Sequence, residues 1–249
     1  MERDHEKQRP RVFRGPVNGV ISLVILVAIV ISGVVVVIWN GAGGAATAPP
    51  TSTSTPADTA VTIPPAARSV CGLAGYDTTG SLERVPPVAS WEFVGLIQIP
   101  SAPHTSGPGT IDPNGYPSCF AHTVDGAVLA AASYLGDTTS AELVRTMAEN
   151  GIVPGAGRDA TLQRLSYGRA AAGSSARLSI KGVRVLSYTA DRAVIDLALV
   201  ADTGDMFGDV FTLAWSDGDW KIVLTDDGLP PVPITVLSTL GGYLPWGAP

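Results

Sequence analysis

Residues 211–224 read FTLAWSDGDWKIVL. Phe211, Leu213 and Trp215 alternate with smaller side chains, Asp217-Gly218 is a two-residue turn signal, and Trp220, Ile222 and Leu224 alternate again. A two-residue turn pairs Trp215 with Trp220, Leu213 with Ile222 and Phe211 with Leu224, so every large apolar side chain falls on one face. Turn chemistry and binary pattern agree independently, which predicts a β-hairpin with one buried face. The Trp215–Trp220 pair has two readings. It is ordinary cross-strand packing if that face is filled core, the reading we favour, or it lines a ligand pocket if the face is an open cone. With Tyr188 and Trp246, these two tryptophans are the residues put forward for a pocket or interface.

Two more strands precede the hairpin. Arg177 to Thr189 is β-rich, with Gly182 breaking its alternation as a bulge does. In Arg192 to Ala201, Ala193, Ile195, Leu197 and Leu199 share one face. Helices come before these strands. Thr123 suits an N-cap, and Val124, Ala127, Val128, Ala131, Ala132 and Leu135 recur at helical spacing, with Gly136 as the expected stop. A second helix is expected from Ser140 to Asn150, ending at Gly151 and carrying Leu143, Val144 and Met147. A third begins near Asp159 with Leu162, Leu165 and Ala172, weakened by Gly168 and Gly173. Helices followed by antiparallel strands give an α+β domain, with helices packed on a curved antiparallel sheet.

Before the helices, residues 71–122 are irregular and rich in Gly, Pro and Ser, with a short strand expected from Val94 to Ile99, stopped by Pro100. This part wraps the core. Cys71 and Cys119 are the only cysteines, and an even count in an oxidising compartment predicts a disulfide that pins the wrapping to the start of the first helix. The tail, 229–249, is proline-rich and apolar; it either adds an edge segment to the sheet or is a docking surface.

Upstream, residues 40–67 have the Gly, Ala, Thr, Pro and Ser content of an extended linker. Residues 17–39 are 23 apolar or small positions without a charge, long enough to cross a bilayer as a helix. Arg3, Lys7, Arg9, Arg11 and Arg14 precede that stretch and no basic residue follows until Arg68. The positive-inside rule then places a tail, 1–16, in the cytoplasm and the domain 68–249 outside the cell membrane. The competing reading, a cleaved signal peptide, has a shorter apolar core.

From residue 68 onward the chain has 11 basic against 18 acidic residues. That balance argues against nucleic acid as a partner. A hydrolase would have to draw on Ser101, Ser106 or Ser118, on His104 or His122, and on Asp112 or Asp125. There is no nucleophile elbow, and these residues sit where Ser and Asp are plentiful anyway. The histidines lack metal-ligand spacing. The acidic turns with Asp202, Asp205 and Asp209, and with Asp217, Asp219, Asp226 and Asp227, lack the order of a calcium loop and read as solvated hairpin tips. No phosphate-cradling glycine loop is present. The expectation is therefore no enzyme, no metal and no cofactor.

Val70-Cys71-Gly72-Leu73, Gly107-Pro108, Phe120-Ala121-His122-Thr123-Val124-Asp125-Gly126-Ala127 and Trp215-Ser216-Asp217-Gly218-Asp219-Trp220-Lys221 resemble a group of single-pass membrane proteins of high-GC Gram-positive bacteria associated with conjugative elements. More distantly, the plan resembles the bitopic subunit of type IV secretion channels, whose outer domain has the cystatin-like, nuclear-transport-factor-like fold. The resemblance implies a non-enzymatic assembly subunit of a conjugation or secretion apparatus, contacting other membrane-complex subunits and itself. The alternative is an extracytoplasmic domain that binds a ligand or cell-wall component in the cone of the same fold.

Overall fold

The computed structural model describes residues 63–167 and 177–249. The expected cytoplasmic tail and membrane span, the linker up to residue 62, and Gly168, Ala172 and Gly173 lie outside the described residues. Among the described residues no helix is long and apolar enough to cross a membrane.

The chain forms an α+β domain of three helices packed on a curled sheet, a half-barrel. A 3-10 turn at Pro65–Ala67 leads into a hairpin of β1 (Ser90–Val94) and β2 (Ile97–Ser101), then a small ribbon of β3 (Thr110–Ile111) and β4 (Pro117–Ser118). The helices α1 (Val124–Thr139), α2 (Leu143–Asn150) and α3 (Ala156–Ser166) follow. The main strands are β5 (Leu178–Tyr188), β6 (Arg192–Ala201), β7 (Met206–Ser216) and β8 (Asp219–Ile222), in the order β1-β2-β5-β6-β7-β8. The tail adds β9 (Thr235–Val236) and β10 (Leu244–Pro245).

The 211–224 hairpin has the register its sequence dictates: Trp215 faces Trp220 and Leu213 faces Ile222. Asp217 and Gly218 both take positive φ, 56° and 78°, the backbone of the turn that matches strand twist. The ladder stops at Ile222, so Phe211 and Leu224 are not a paired position; Val223 N–H still donates to Thr212 O at 2.8 Å. In β6, Ala193, Ile195, Leu197 and Leu199 are all buried, as their alternation requires. The β5–β6 ladder slips at Lys181, next to Gly182, and again at Leu186. The first slip was expected and the second was not.

Four expectations need correction. The sheet is mixed, because β2 runs parallel to β5, with Ile97 opposite Leu178. The expected strand Val94 to Ile99 is split between the end of β1 and the start of β2 by a turn at residues 95–96, with Gly95 at φ 57°, and Pro100 sits inside β2 opposite Trp91. The parallel ladder to β5 ends at Gln98, so Pro100 lies where β2 has one partner strand and its missing N–H costs little. Gly136 does not end α1, which continues to Thr139. A Cβ there would lie 3.0 Å from Ile99 and 3.1 Å from Val94, so the glycine serves close packing of the helix on the β1–β2 hairpin. Lastly, α3 starts at Ala156, ahead of Asp159, which falls in its first turn.

Thr123 caps α1, its hydroxyl accepting from Gly126 N at 3.1 Å. Apart from Asp125, every residue of α1 from Val124 to Asp137 is buried. A helix buried all round has core on more than one side. Here the sheet covers one side, and α2 and the β1–β2 hairpin also pack on it. This burial includes two polar side chains, Ser133 and Asp137, both fully buried and without a hydrogen-bond partner.

Of the two readings of the tail, the structure shows the edge segment. β9 extends β7, with Val236 opposite Phe207, and β10 extends β5, with Leu244 opposite Val183. Between them the chain crosses the outer face of the sheet over Gly182, Ala198 and Gly208, which lie side by side in neighbouring strands. A Cβ on Gly182 would be 2.8 Å from Tyr243 Cβ, and one on Gly208 would be 3.0 Å from Thr235 Oγ1. The strap buries Asp196, which accepts from Tyr243 Oη at 2.9 Å and pairs with Arg184 at 2.7 Å. The Arg184 guanidinium also lies over the Tyr243 ring at 4.3 Å. Leu229, Ile234 and Val236 remain well exposed on the same tail.

Candidate ligand cavity

Where α2 and α3 stand off from the sheet they leave a cavity of about 420 Å³. Its walls are Val144 and Met147 of α2, Leu165 of α3, Phe211 of β7, and Ile222 and Leu224 at and beyond β8. The tail loop borders its opening with Leu229, Pro230, Pro231 and Ile234. The sequence logic is plain: Val144, Met147 and Leu165 lie on the inner faces of their helices, while Phe211 and Leu224 stay on the inner face of a hairpin whose ladder has already ended.

Polar groups are few. Thr138 Oγ1 donates to Leu135 O at 2.8 Å and Thr161 Oγ1 to Gly157 O at 2.9 Å, so both hydroxyl protons are committed to their own helices. Arg164 and Asp209 are the charged lining residues. Arg164 Nη2 donates to Gly228 O and to Thr161 Oγ1, tying α3 to the tail loop. Burial, with a smaller contribution from the Asp196 charge, pushes the Asp209 carboxyl up to about 6.

The four aromatic residues put forward from the sequence do not line this cavity. Three meet elsewhere. Trp220 is fully buried, edge-on to Trp215 at 5.3 Å and to Tyr188 at 5.7 Å, and its Nε1 donates to Ala121 O at 3.0 Å. Trp215 stacks on the His122 ring at 3.7 Å, and its Nε1 donates to Ala66 O. Trp246 is apart from them, edge-on to Trp91 at 5.4 Å beside the end of the strap.

Cys71 and Cys119 form the expected disulfide, with Cα atoms 5.9 Å apart. The hydrolase candidates separate. His122 is buried with its ring nitrogens against the carbonyl oxygens of Ala67 and Ala190. Asp112 accepts from Asn114 N and Tyr116 N, a loop role. Ser101 ends β2 and Ser118 lies in β4. His104, Ser106 and Asp125 do border one polar groove at the start of α1, with Asp77 and Arg84, but no hydrogen bond joins the three. Among the described residues, no group of three or more His, Cys, Asp or Glu side chains is placed to hold a metal ion.

The acidic turns are not all solvated tips. Asp219 is buried, and its carboxylate accepts the backbone N–H of Cys119 at 2.6 Å, of Phe120 at 2.9 Å and of Trp220 at 2.9 Å. Desolvation raises this carboxyl from its usual range while those three bonds hold it down. No single-sequence signal separates Asp219 from Asp217 two positions away; Asp217 sits in the turn at φ 56° with its side chain in solvent, whereas Asp219 begins β8 beside the N–H groups of Cys119 and Phe120.

Residues 51–245 match the family described as Domain of unknown function (DUF8175). The chain belongs to the DUF8175 family. No curated protein and no solved structure matches it. The matched residues of this DUF8175 chain take in the disulfide, the three helices, the cavity and the strap as far as Pro245.

Proposed function

We propose that this DUF8175 chain is a non-enzymatic, membrane-anchored binding module whose outer domain holds an apolar ligand between α2, α3 and the sheet. The observation that carries the reading is the cavity, about 420 Å³ and walled almost entirely by hydrocarbon. Its size falls in the range of small-molecule sites, roughly 300–1,000 Å³. Three helices followed by a curled sheet support the cystatin-like, nuclear-transport-factor-like plan, in which such a space is the cone. The charge-free stretch 17–39 and its basic flank support anchoring with the domain outside. The test is titration of the full-length protein, held in amphipol, with Nile red. Saturable binding that Leu165→Trp abolishes is expected. Non-saturable binding, or binding untouched by that substitution, overturns the reading.

A second reading, an assembly subunit of a conjugation or secretion apparatus, is favoured by the apolar side chains the tail leaves in solvent: Leu229, Ile234 at 62% exposure and Val236 at 81%. A photo-crosslinker at Val236 in living cells should capture channel subunits or the secretion ATPase; capture of this chain alone counts against it.

A further inference from the structure

The cavity's lining constrains what fills it. Thr138 and Thr161 have spent their hydroxyl protons, and the remaining wall is hydrocarbon apart from Thr212, Arg164 and Asp209. A ligand body with hydroxyls or amides would leave those groups unpaired, which disfavours sugars, nucleotides and muropeptides. At about 30 Å³ per water-sized group, the space suits about a dozen non-hydrogen atoms, one chain and not two.

Arg164 differs from Arg184 in its pairing. Arg184 is paired with Asp196, whereas Arg164 has no carboxylate within ion-pair distance among the described residues. Both of its hydrogen bonds, to Gly228 O and Thr161 Oγ1, leave from Nη2. Among the described residues, Nη1 and Nε have no acceptor. Asp227, in the same loop, accepts from Thr225 at 2.5 Å and makes no ion pair with Arg164, although the Arg164 charge helps to lower its carboxyl. Asp209 lies elsewhere on the lining, next to Gly208, which pairs with Thr235 of the tail. A negative group entering the cavity is therefore drawn to the Arg164 side and repelled from the Asp209 side.

We propose that the cavity takes a single-chain amphiphile of the fatty-acid type, its carboxylate accepting from Arg164 Nη1 or Nε and its chain lying between α2 and the β7–β8 hairpin. This rests on the binding reading above. Burial of the chain supplies affinity in proportion to area, and the charge-assisted hydrogen bond supplies head-group choice.

The test is competition against Nile red on the full-length protein in amphipol, with dodecanoate and dodecanol as the two competitors. The expected result is displacement by both, with dodecanoate stronger by about tenfold or more, the scale of a charge-assisted bond. Arg164→Gln should bring dodecanoate down to the level of dodecanol, and Arg164→Lys should keep part of the preference. Equal displacement by acid and alcohol in the native protein overturns the head-group assignment while the binding reading stands. Absence of saturable Nile red binding removes both. The acid–alcohol comparison needs no variant, so misfolding of an Arg164 substitution does not blunt it.

Discussion

The backbone N–H of Cys119 donates to the carboxylate of Asp219 at 2.6 Å, joining positions a hundred residues apart. Phe120 N–H joins the same carboxylate, so the last turn of the wrapping segment is fastened to the hairpin immediately before α1 begins. The Cys71–Cys119 disulfide then extends this attachment to the start of the domain, where Ser69 Oγ also donates to Phe120 O at 2.9 Å. Asp219 is thus the junction of the wrap, the first helix and the sheet.

Replacing Asp219 by Ala leaves three backbone N–H groups without their acceptor in a buried place. At about 1–3 kcal/mol for an orphaned buried donor, partly relieved by water, a loss of about 3 kcal/mol is expected. Urea unfolding of the full-length chain measures it. Asp217→Ala, in the exposed turn with a surface pair to Lys221, should change stability far less than Asp219→Ala does. Equal effects at the two positions would contradict the junction role.

The disulfide closes a separation of 48 residues. The chain-entropy model puts its contribution at about 4 kcal/mol. Non-reducing mass analysis of protein isolated from its own cells should show it intact, and unfolding with and without reductant should differ by a few kcal/mol. Two free thiols in that material would exclude it.

Asp137 makes a pH prediction. Burial pushes its carboxyl up to about 8, and neither oxygen has a partner. The folded domain therefore holds a proton that the unfolded chain releases near pH 4. By linkage, stability falls as pH rises from about 4 to about 8 and levels off above that. Asp137→Asn should remove this slope and raise stability above pH 8 by about 1–3 kcal/mol, with little change at pH 4. An unchanged slope in the variant would assign the dependence to other groups.

The strap depends on the small-residue row beneath it. Gly182→Val would drive a side chain into Tyr243, whose Cβ is 2.8 Å from the position a Cβ would take. Overpacking of this kind costs about 1–3 kcal/mol. Hydrogen exchange should rise in residues 235–246 and stay unchanged in the 211–222 hairpin. Tyr243→Phe, which removes one of the bonds to Asp196 and leaves the ion pair with Arg184, should cost about 1 kcal/mol.

What the sequence disclosed follows from the range of the forces involved. Local chemistry was readable: the Asp217-Gly218 turn with its flanking alternation, the Thr123 cap, and the inward face of β6. Gly136 was misread because a glycine that ends a helix and one that lets a helix approach a hairpin look alike until Val94 and Ile99 are in place. Asp219 and Asp217 differ in fate because Asp217 sits in the solvent-facing turn while the wrapping segment brings the N–H groups of Cys119 and Phe120 onto Asp219. The cavity was least legible, since Met147, Leu165, Phe211 and Leu224 each read as ordinary core, Leu229 read as part of the tail, and only the stand-off of α2 and α3 from the sheet leaves space among them. Trp215 and Trp220 drew attention by size, yet large aromatic side chains fill space, and the opening lies where smaller ones meet.

The most direct test of the account is native mass spectrometry of the full-length protein isolated from its own cells, beside Leu165→Trp. The account predicts an adduct of hydrocarbon-amphiphile mass on the native chain that is missing from the variant. A bare native chain, or an adduct equally present on both, would contradict a ligand held between α2, α3 and the sheet.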